Sequence, residues 1–345
     1  MADLSVSLSK SYLHKKTDNA KKLLPGIAIC IVVAMAAVFI SDNYNGPTIL
    51  YALALGMALN YLAGDGACSA GIQFSAKSVL RFGIALLGAR ITTDKISELG
   101  LTPIMIALSV VPLTIAFGYL SGRLLKLGTT QSILSGSAVG ICGASAALAV
   151  STVLPAGKNA EKELIFTIIS VTALSTIAMV AYPIAANLLG FGTSESGVFL
   201  GATIHDVAQV VGAGYMMSSD TGDIATFTKL LRVAMLVPVV AIISVVVARQ
   251  TQHKTSTRSK LSFLPGFLIA FILIISLNSL NVIPTYGVQW MSDLSRWCLI
   301  IAMVALGMKA SLKELVSVGW RPLVHVILET LFLALFVAAW LLLIR

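Results

Sequence analysis

Residues 197–214 read Gly197-Val-Phe-Leu-Gly-Ala-Thr-Ile-His-Asp-Val-Ala-Gln-Val-Val-Gly-Ala-Gly214, an apolar run interrupted near its centre by His205, Asp206 and Gln209. A soluble protein would bury such a run beneath a charged surface, with roughly a quarter of its residues charged. This chain lacks that surface. Charged residues make up 11% of its 345, hydrophobic residues 57%, and the mean hydropathy is +0.92. Its exterior must face lipid, which predicts an all-α polytopic membrane protein. A carboxylate within such a run is costly and calls for a partner or a water-filled path, so 205–209 is the first candidate site.

Working outward, apolar runs of about 20 residues, the length that spans hydrocarbon, lie near 23–40, 47–63, 72–90, 102–121, 131–154, 164–190, 197–217, 226–248, 262–281, 293–308 and 322–344. They predict ten or eleven transmembrane helices forming a single domain over 23–345, after a polar, basic cytoplasmic segment at 1–22. No small-residue cleavage site follows the first run, so it reads as a spanning helix and not as a removable signal. With the N-terminus inside, the Lys/Arg bias assigns Lys10, Lys15, Lys16, Lys21, Lys22, Arg123, Lys126, Arg249, Lys254, Arg258, Lys260, Lys309, Lys313 and Arg321 to the cytoplasm. Arg90, Lys95, Lys158, Lys162, Lys229, Arg296 and Arg345 fall outside. The net charge of +9 is spread over short connections and not gathered into a basic patch with aromatics, which argues against a nucleic-acid partner. Cys30, Cys68, Cys142 and Cys298 have no metal-ligand spacing and read as reduced thiols, and no cofactor or metal is expected.

The run Gln131-Ser-Ile-Leu-Ser-Gly-Ser-Ala-Val-Gly-Ile-Cys-Gly-Ala-Ser145 places three glycines at membrane depth. Each costs about 1 kcal/mol against alanine in a helix, which favours a break, and the amides freed at a break form an anion site. Small-residue packing between helices is the other reading of Gly136 and Gly140. The candidate substrate-binding residues are Ser137, Gly140, Cys142, Gly143, Ser145 and Gln209, with Arg81 or Arg232 to hold an oxyanion. Asp206 and His205 are the candidate ion-coupling pair, able to bind Na⁺ or carry a proton. Lys77 reads as a snorkelling cation, Glu329 as a partner for Arg321 or His325, and Asn60, Asn278 and Asn281 as caps. Residues 86–103 also echo 305–322 (Gly88 with Gly307, Arg90 with Lys309, Pro103 with Pro322), as inverted repeats would.

On four stretches the chain resembles the YeiH-type family of bacterial inner-membrane proteins, regarded as sulfate exporters: Gly140-Ile-Cys-Gly-Ala144, Gly201-Ala-Thr-Ile-His-Asp-Val-Ala-Gln-Val-Val-Gly212, Lys229-Leu-Leu-Arg-Val233 and Ala305-Leu-Gly-Met308. The histidine block is the specific one, with Asp206 where relatives carry Glu. The resemblance covers nearly the whole chain and groups it with the bile acid/sodium symporter-like superfamily. It implies inverted repeats and two discontinuous helices crossing near a site built from Ser137, Cys142, Gly143, Ser145, His205, Asp206 and Gln209. One conflict stands: in the simplest topology runs five and seven are parallel, whereas symmetry mates are antiparallel, so either one is a re-entrant hairpin or they are not mates.

The expectation is therefore a non-enzymatic secondary transporter of a small oxyanion (sulfate, sulfite or an organosulfonate) in the bacterial inner membrane, coupled to H⁺ or Na⁺. There is no Walker motif for ATP. A cation-coupled organic-anion carrier or a Na⁺/H⁺ antiporter on the same scaffold is the alternative. A channel, or an intramembrane hydrolase using Ser137 or Ser145 with His205, is more remote. Glycine-rich faces toward lipid permit a homodimer.

Overall fold

Hydrocarbon offers no water to backbone amides, so this composition must close its hydrogen bonds within helices. The structure, a computed structural model, describes residues 2–44, 47–64, 66–90, 100–155, 157, 159–250, 266–280, 282–309 and 320–344. Among them every regular element is helical. The elements are α1 (Ala2–Tyr44), α2 (Thr48–Ala58), α3 (Ser69–Phe74), α4 (Leu80–Leu87), α5 (Thr102–Leu124), α6 (Thr129–Gly140), α7 (Ala144–Ser151) and α8 (Ala160–Leu188). There follow α9 (Thr193–Thr203), α10 (Val207–Met217), α11 (Ser219–Ala234), α12 (Leu236–Gln250), α13 (Gly266–Ser279), α14 (Thr285–Lys309) and α15 (Trp320–Ile344). Six described stretches are long and apolar enough to cross a membrane: Lys22–Tyr44, α5, α8, Ser219–Arg249, α14 and α15.

The run 23–345, which reads as one domain, divides into two compact units. The first holds residues 1–87 and 285–310. Its helices meet through small residues, as lipid-embedded helices do: a Cβ on Gly26 would lie 2.7 Å from the Cα of Gly71, and one on Gly56 3.0 Å from that of Gly307. Polar atoms tie the same contacts, Asn60 Nδ2 donating to the Met308 carbonyl at 2.6 Å and Ser295 Oγ to that of Gly83 at 2.7 Å.

The second unit, 88–284 and 311–345, carries both glycine-rich runs, and neither crosses the membrane. Gly197 packs on Thr221 and Ile224, and Gly201 on Ala225 and Thr228, so α9 runs parallel to α11. Ser218 is extended (φ −162°, ψ 167°) and reverses the chain. Gly214 thereby returns onto Gly222, and the Tyr215 hydroxyl bonds Asp223, so α10 runs antiparallel to α11. Hence α9 and α10 oppose each other as a re-entrant hairpin with its tip at 204–206.

The first run folds back in the same way, from the other face. Arg90 bonds Ser219 and lies 3.6 Å from Asp223, so the chain leaves Arg90 at the face where α11 begins. Arg123 and Lys126 at the end of α5 belong with Arg249, at the far end of the span that α11 begins, by the positive-inside bias, so α5 starts at the face of Arg90 and ends at the other. Antiparallel packing of Gly122 on Ser132 and Gly118 on Gly136 then brings α6 back inward. The long helix α8 ends at the face where α9 and α11 begin, since the Thr221 hydroxyl reaches the Thr193 carbonyl (3.5 Å). It therefore starts at the opposite face, and α7 must return there to meet it. Between α6 and α7, Gly143 takes φ +68°, a conformation that β-carbons disfavour.

The conflict between parallel runs and antiparallel mates thus disappears, because two hairpins enter from opposite faces. Two charge assignments change with it. Lys162 shares the face of Arg123, Lys126 and Arg249, not the outer one. Lys229, counted outside by its place in the chain, is wholly buried. Of the echoing stretches, 91–99 and 310–319 lie outside the described residues, as do Lys95, Lys158, Lys254, Arg258, Lys260, Lys313, Asn281 and Arg345.

In a cysteine-free background, Leu127→Cys and Gly157→Cys should react with an impermeant maleimide from one face of the membrane, and Gly192→Cys from the other. Labelling of 157 from the face of 192 would mean that α6 and α7 form a crossing helix.

Candidate functional site

A helix that stops at membrane depth leaves its last carbonyls unpaired and the negative end of its dipole exposed. Two such ends occur here, α6 at Gly140 and α9 at Thr203. Both are closed by α11. Arg232 donates through Nε to the Gly140 carbonyl at 2.9 Å, and through Nη2 to Val139 and Gly140 at 2.7 Å each. Its Nη1 donates to Ala202 at 2.8 Å, with Gly201 and Ile204 at 3.3 Å. Lys229, one turn earlier on the same face, bridges the two tips by donating to the Ile141 carbonyl at 2.7 Å and to that of Ile204 at 2.9 Å. Both cations have 0% exposed surface.

Beside this clasp the tips meet. Gly143 lies against His205, a Cβ there reaching the histidine Cβ at 3.8 Å. His205 Nε2 is 3.0 Å from the Thr330 hydroxyl, which itself donates to the Val326 carbonyl at 2.8 Å, so the imidazole is the donor. Asp206 is half-buried and caps α10, Oδ1 accepting from the Ala208 amide at 2.8 Å, while its own amide donates to Ser175 Oγ at 3.0 Å. Gln209 Nε2 donates to Thr176 Oγ1 at 2.8 Å. Among the described residues the buried Ser137 Oγ, His205 Nδ1, Gln209 Oε1 and Thr228 Oγ1 have no hydrogen-bond partner. Each such orphan costs about 1–3 kcal/mol in a dry interior, so their concentration at the tips marks a place suited to water or a polar ligand.

Of the residues singled out in the sequence, Ser137, Gly140, Cys142, Gly143, His205, Asp206, Gln209 and Arg232 are brought to this centre. Ser145 is exposed on α7, and Arg81 is exposed in the first unit. The donors of Arg232 are engaged by carbonyls, so its charge reaches the centre although its N–H groups are committed. Sequence reasoning missed Lys229, whose three-residue spacing from Arg232 was the available signal. Of the partners offered for Glu329, His325 lies 3.4 Å away, and sequence reasoning missed only Ser135, which joins that pair from 194 residues earlier in the chain. No group of three or more His, Cys, Asp or Glu side chains suited to a metal occurs among the described residues.

These features define a class: a polytopic α-helical membrane protein whose centre is made by two opposed re-entrant tips. The chain belongs to the family described as conserved hypothetical protein 698, whose profile matches residues 25–326. It is 50% identical over 329 residues to a UPF0324 membrane protein of Chlorobaculum tepidum, covering 94% of this chain and 92% of that one. A UPF0324 membrane protein of Rhizobium meliloti is 46% identical over 332 residues (94% and 96% covered), and UPF0324 membrane protein TauZ of Paracoccus pantotrophus is 46% identical over 320 (92% and 95%).

Replacing Lys229 or Arg232 by Met should unclasp the tips. Hydrogen bonds to a charged group contribute about 1.5–3 kcal/mol each, so both variants should melt well below wild type in detergent, Arg232→Met by more. Melting within error of wild type would show that the clasp is not structural.

Proposed function

We infer that the protein is a secondary transporter carrying a small oxyanion, such as sulfate, sulfite or an organosulfonate, across the bacterial inner membrane. The observation that carries this reading is the charge count at the tips. Lys229 and Arg232 are fixed there by six carbonyls (Val139, Gly140, Ile141, Gly201, Ala202 and Ile204), and Asp206 supplies one facing negative charge. The carbonyls are dipoles and cancel only part of the positive charge that these side chains bring, so an anion completes the balance. The break at Gly143 also turns the amide end of α7 toward this centre; the Cys142 side chain takes the Ala146 amide, and the remaining first-turn N–H groups suit an anion. Ser137 Oγ is a ready donor for the bound oxyanion.

Asp206 and His205, at the tip of the second hairpin, are the groups that would couple transport to H⁺ or Na⁺. The face bearing Arg123, Lys126, Lys162, Arg249 and Arg321 is cytoplasmic by the positive-inside bias, and Glu195, Asp220 and Asp223 lie toward the other face. Hairpins entering from opposite faces suit alternating access, since each can open the centre to one side. A Na⁺/H⁺ antiporter or organic-anion carrier is the rival reading, favoured by the solvent-reachable Asp206; in it Asp206 would be the primary ion site.

The test is flux of labelled sulfate and sulfite into liposomes under imposed pH and Na⁺ gradients. Wild type should accumulate at least one of the two. Ser137→Ala should keep wild-type melting yet raise the half-saturating concentration about fivefold, the effect of one lost hydrogen bond, and Asp206→Asn should change the gradient dependence. Absence of anion flux together with Na⁺-driven proton movement would overturn the oxyanion assignment.

A further inference from the structure

Glu329 lies in α15 with 0% exposed surface, and the tips do not use it. Its surroundings are specific. Ser135 Oγ, on the first arm of the first hairpin, is 2.9 Å from Glu329 Oε1 and 3.1 Å from His325 Nδ1. His325 Nε2 is 2.9 Å from the Gly118 carbonyl and 3.4 Å from Glu329 Oε1. Helix α5 is cut away to make room: a Cβ on Gly118 would strike Glu329 Oε1, and one on Gly122 would lie 3.2 Å from His325 Nε2.

These distances dictate a proton count. A carbonyl only accepts, so Nε2 carries hydrogen. If Glu329 is ionised, the Ser135 hydroxyl donates to it, and Nδ1 must then donate to Ser135 Oγ, making His325 an imidazolium. If Glu329 is protonated, it donates to Ser135 Oγ, whose hydrogen points at Nδ1 of a neutral imidazole. The two states share their heavy atoms and differ by a relay through one hydroxyl. Removing the proton from either leaves the single Ser135 hydrogen facing Nδ1, the carboxylate and the Ser132 carbonyl at 3.3 Å, so at least one close contact sets lone pair against lone pair away from water, which is costly.

We propose that Ser135, His325 and Glu329 form a proton-binding site that takes up and releases one proton per transport cycle. The inference rests on the transporter reading above; it names the proton as the coupling ion and places its carrier behind the first hairpin, apart from Asp206. The link to the tips is short. Ser135 sits on the arm that ends at Gly140, and Thr330, next to Glu329, holds His205 on the opposite tip. Displacing the first hairpin from α15 removes the serine and admits water to the pair, which releases the proton.

The charged and titratable groups around the pair are accounted for helix by helix. On α15 they are His325, Glu329 and, at the cytoplasmic end, Arg321; on α5 there is Arg123, stacked on Tyr119 at that same end. The facing arm α6 presents only Ser132 and Ser135. Helix α8 has Glu161, Lys162 and Glu163 at its cytoplasmic end and Tyr182 toward the other. Helix α9 contributes Glu195 at its far end, with His205 just beyond its tip, and α11 contributes Asp220, Asp223 and the two clasp cations.

Two measurements on the full chain decide it. In liposomes with the membrane potential clamped at zero, wild type should accumulate sulfate or sulfite about tenfold per unit of pH gradient for one coupled proton. Glu329→Gln should abolish that accumulation while counterflow of labelled anion at symmetric pH stays within a few-fold of wild type, and Glu329→Asp should restore part of it. His325→Gln, which keeps a donor for the Gly118 carbonyl, should behave as Glu329→Gln does and serves if that variant does not fold. Retained pH-driven accumulation in both would overturn the proposal. The second measurement needs no substrate: the infrared spectrum of wild type minus Glu329→Gln at neutral pH should contain either a protonated carboxyl band or an imidazolium band. An ionised carboxylate beside a neutral imidazole would overturn the one-proton count. Wild type without counterflow of either anion would mark failure of the transport reading, while the infrared result would still decide the proton site.

Discussion

Helix ends in hydrocarbon are expensive, and the second unit contains two of them in contact. Everything at its centre depends on how those ends are closed. Their carbonyls are bound by Lys229 and Arg232, one turn apart on α11. One helix thereby serves both hairpins, joins them, and sets the sign of the potential where they meet. Removing either cation leaves carbonyls unpaired in a dry interior. Adding the cations without the helix ends would leave two buried charges facing each other. Each makes the other tolerable, which is why the clasp is a single structural element.

Given the clasp, the neighbouring chemistry follows from shape. Closing the carbonyl ends turns the opposite features of each tip, the amide end of α7 and the Asp206-capped end of α10, toward the remaining space. Ser137, His205, Gln209 and Thr228 present atoms there without partners, and Asp206, half-buried, offsets part of the positive charge. Such a centre is incomplete without a polar guest. A rigid packing core would have satisfied or deleted those atoms, as the glycine contacts of Gly26 with Gly71 and Gly56 with Gly307 do in the first unit.

A second polar layer lies behind the first hairpin and uses a different principle. The tips hold fixed charges whose donors are committed, whereas Ser135, His325 and Glu329 hold a proton that can move between two bases without moving heavy atoms. Helix α15 joins the layers through consecutive residues, Glu329 and Thr330. Motion of one hairpin therefore changes the surroundings of both a charge site and a proton site, which is the physical requirement for coupling.

The amino-acid sequence by itself determined the class: low charge and apolar runs of bilayer length leave only helices in lipid, and glycines at 136, 140 and 143 with His205 and Asp206 mark where those helices fail. It determined family membership for the same reason, because broken helices at membrane depth tolerate few residue types. Only the tertiary structure decided that the two runs are hairpins. Hydropathy registers length and not direction, and a hairpin with two short arms is as long and apolar as one span. Lys229 was misplaced on the same account, since charge bias assumes that a cation near a run's edge is near water. Ser135, His325 and Glu329 were invisible as a group because nearly two hundred residues separate the serine from its partners, and no periodicity within one helix encodes what another helix brings to its side.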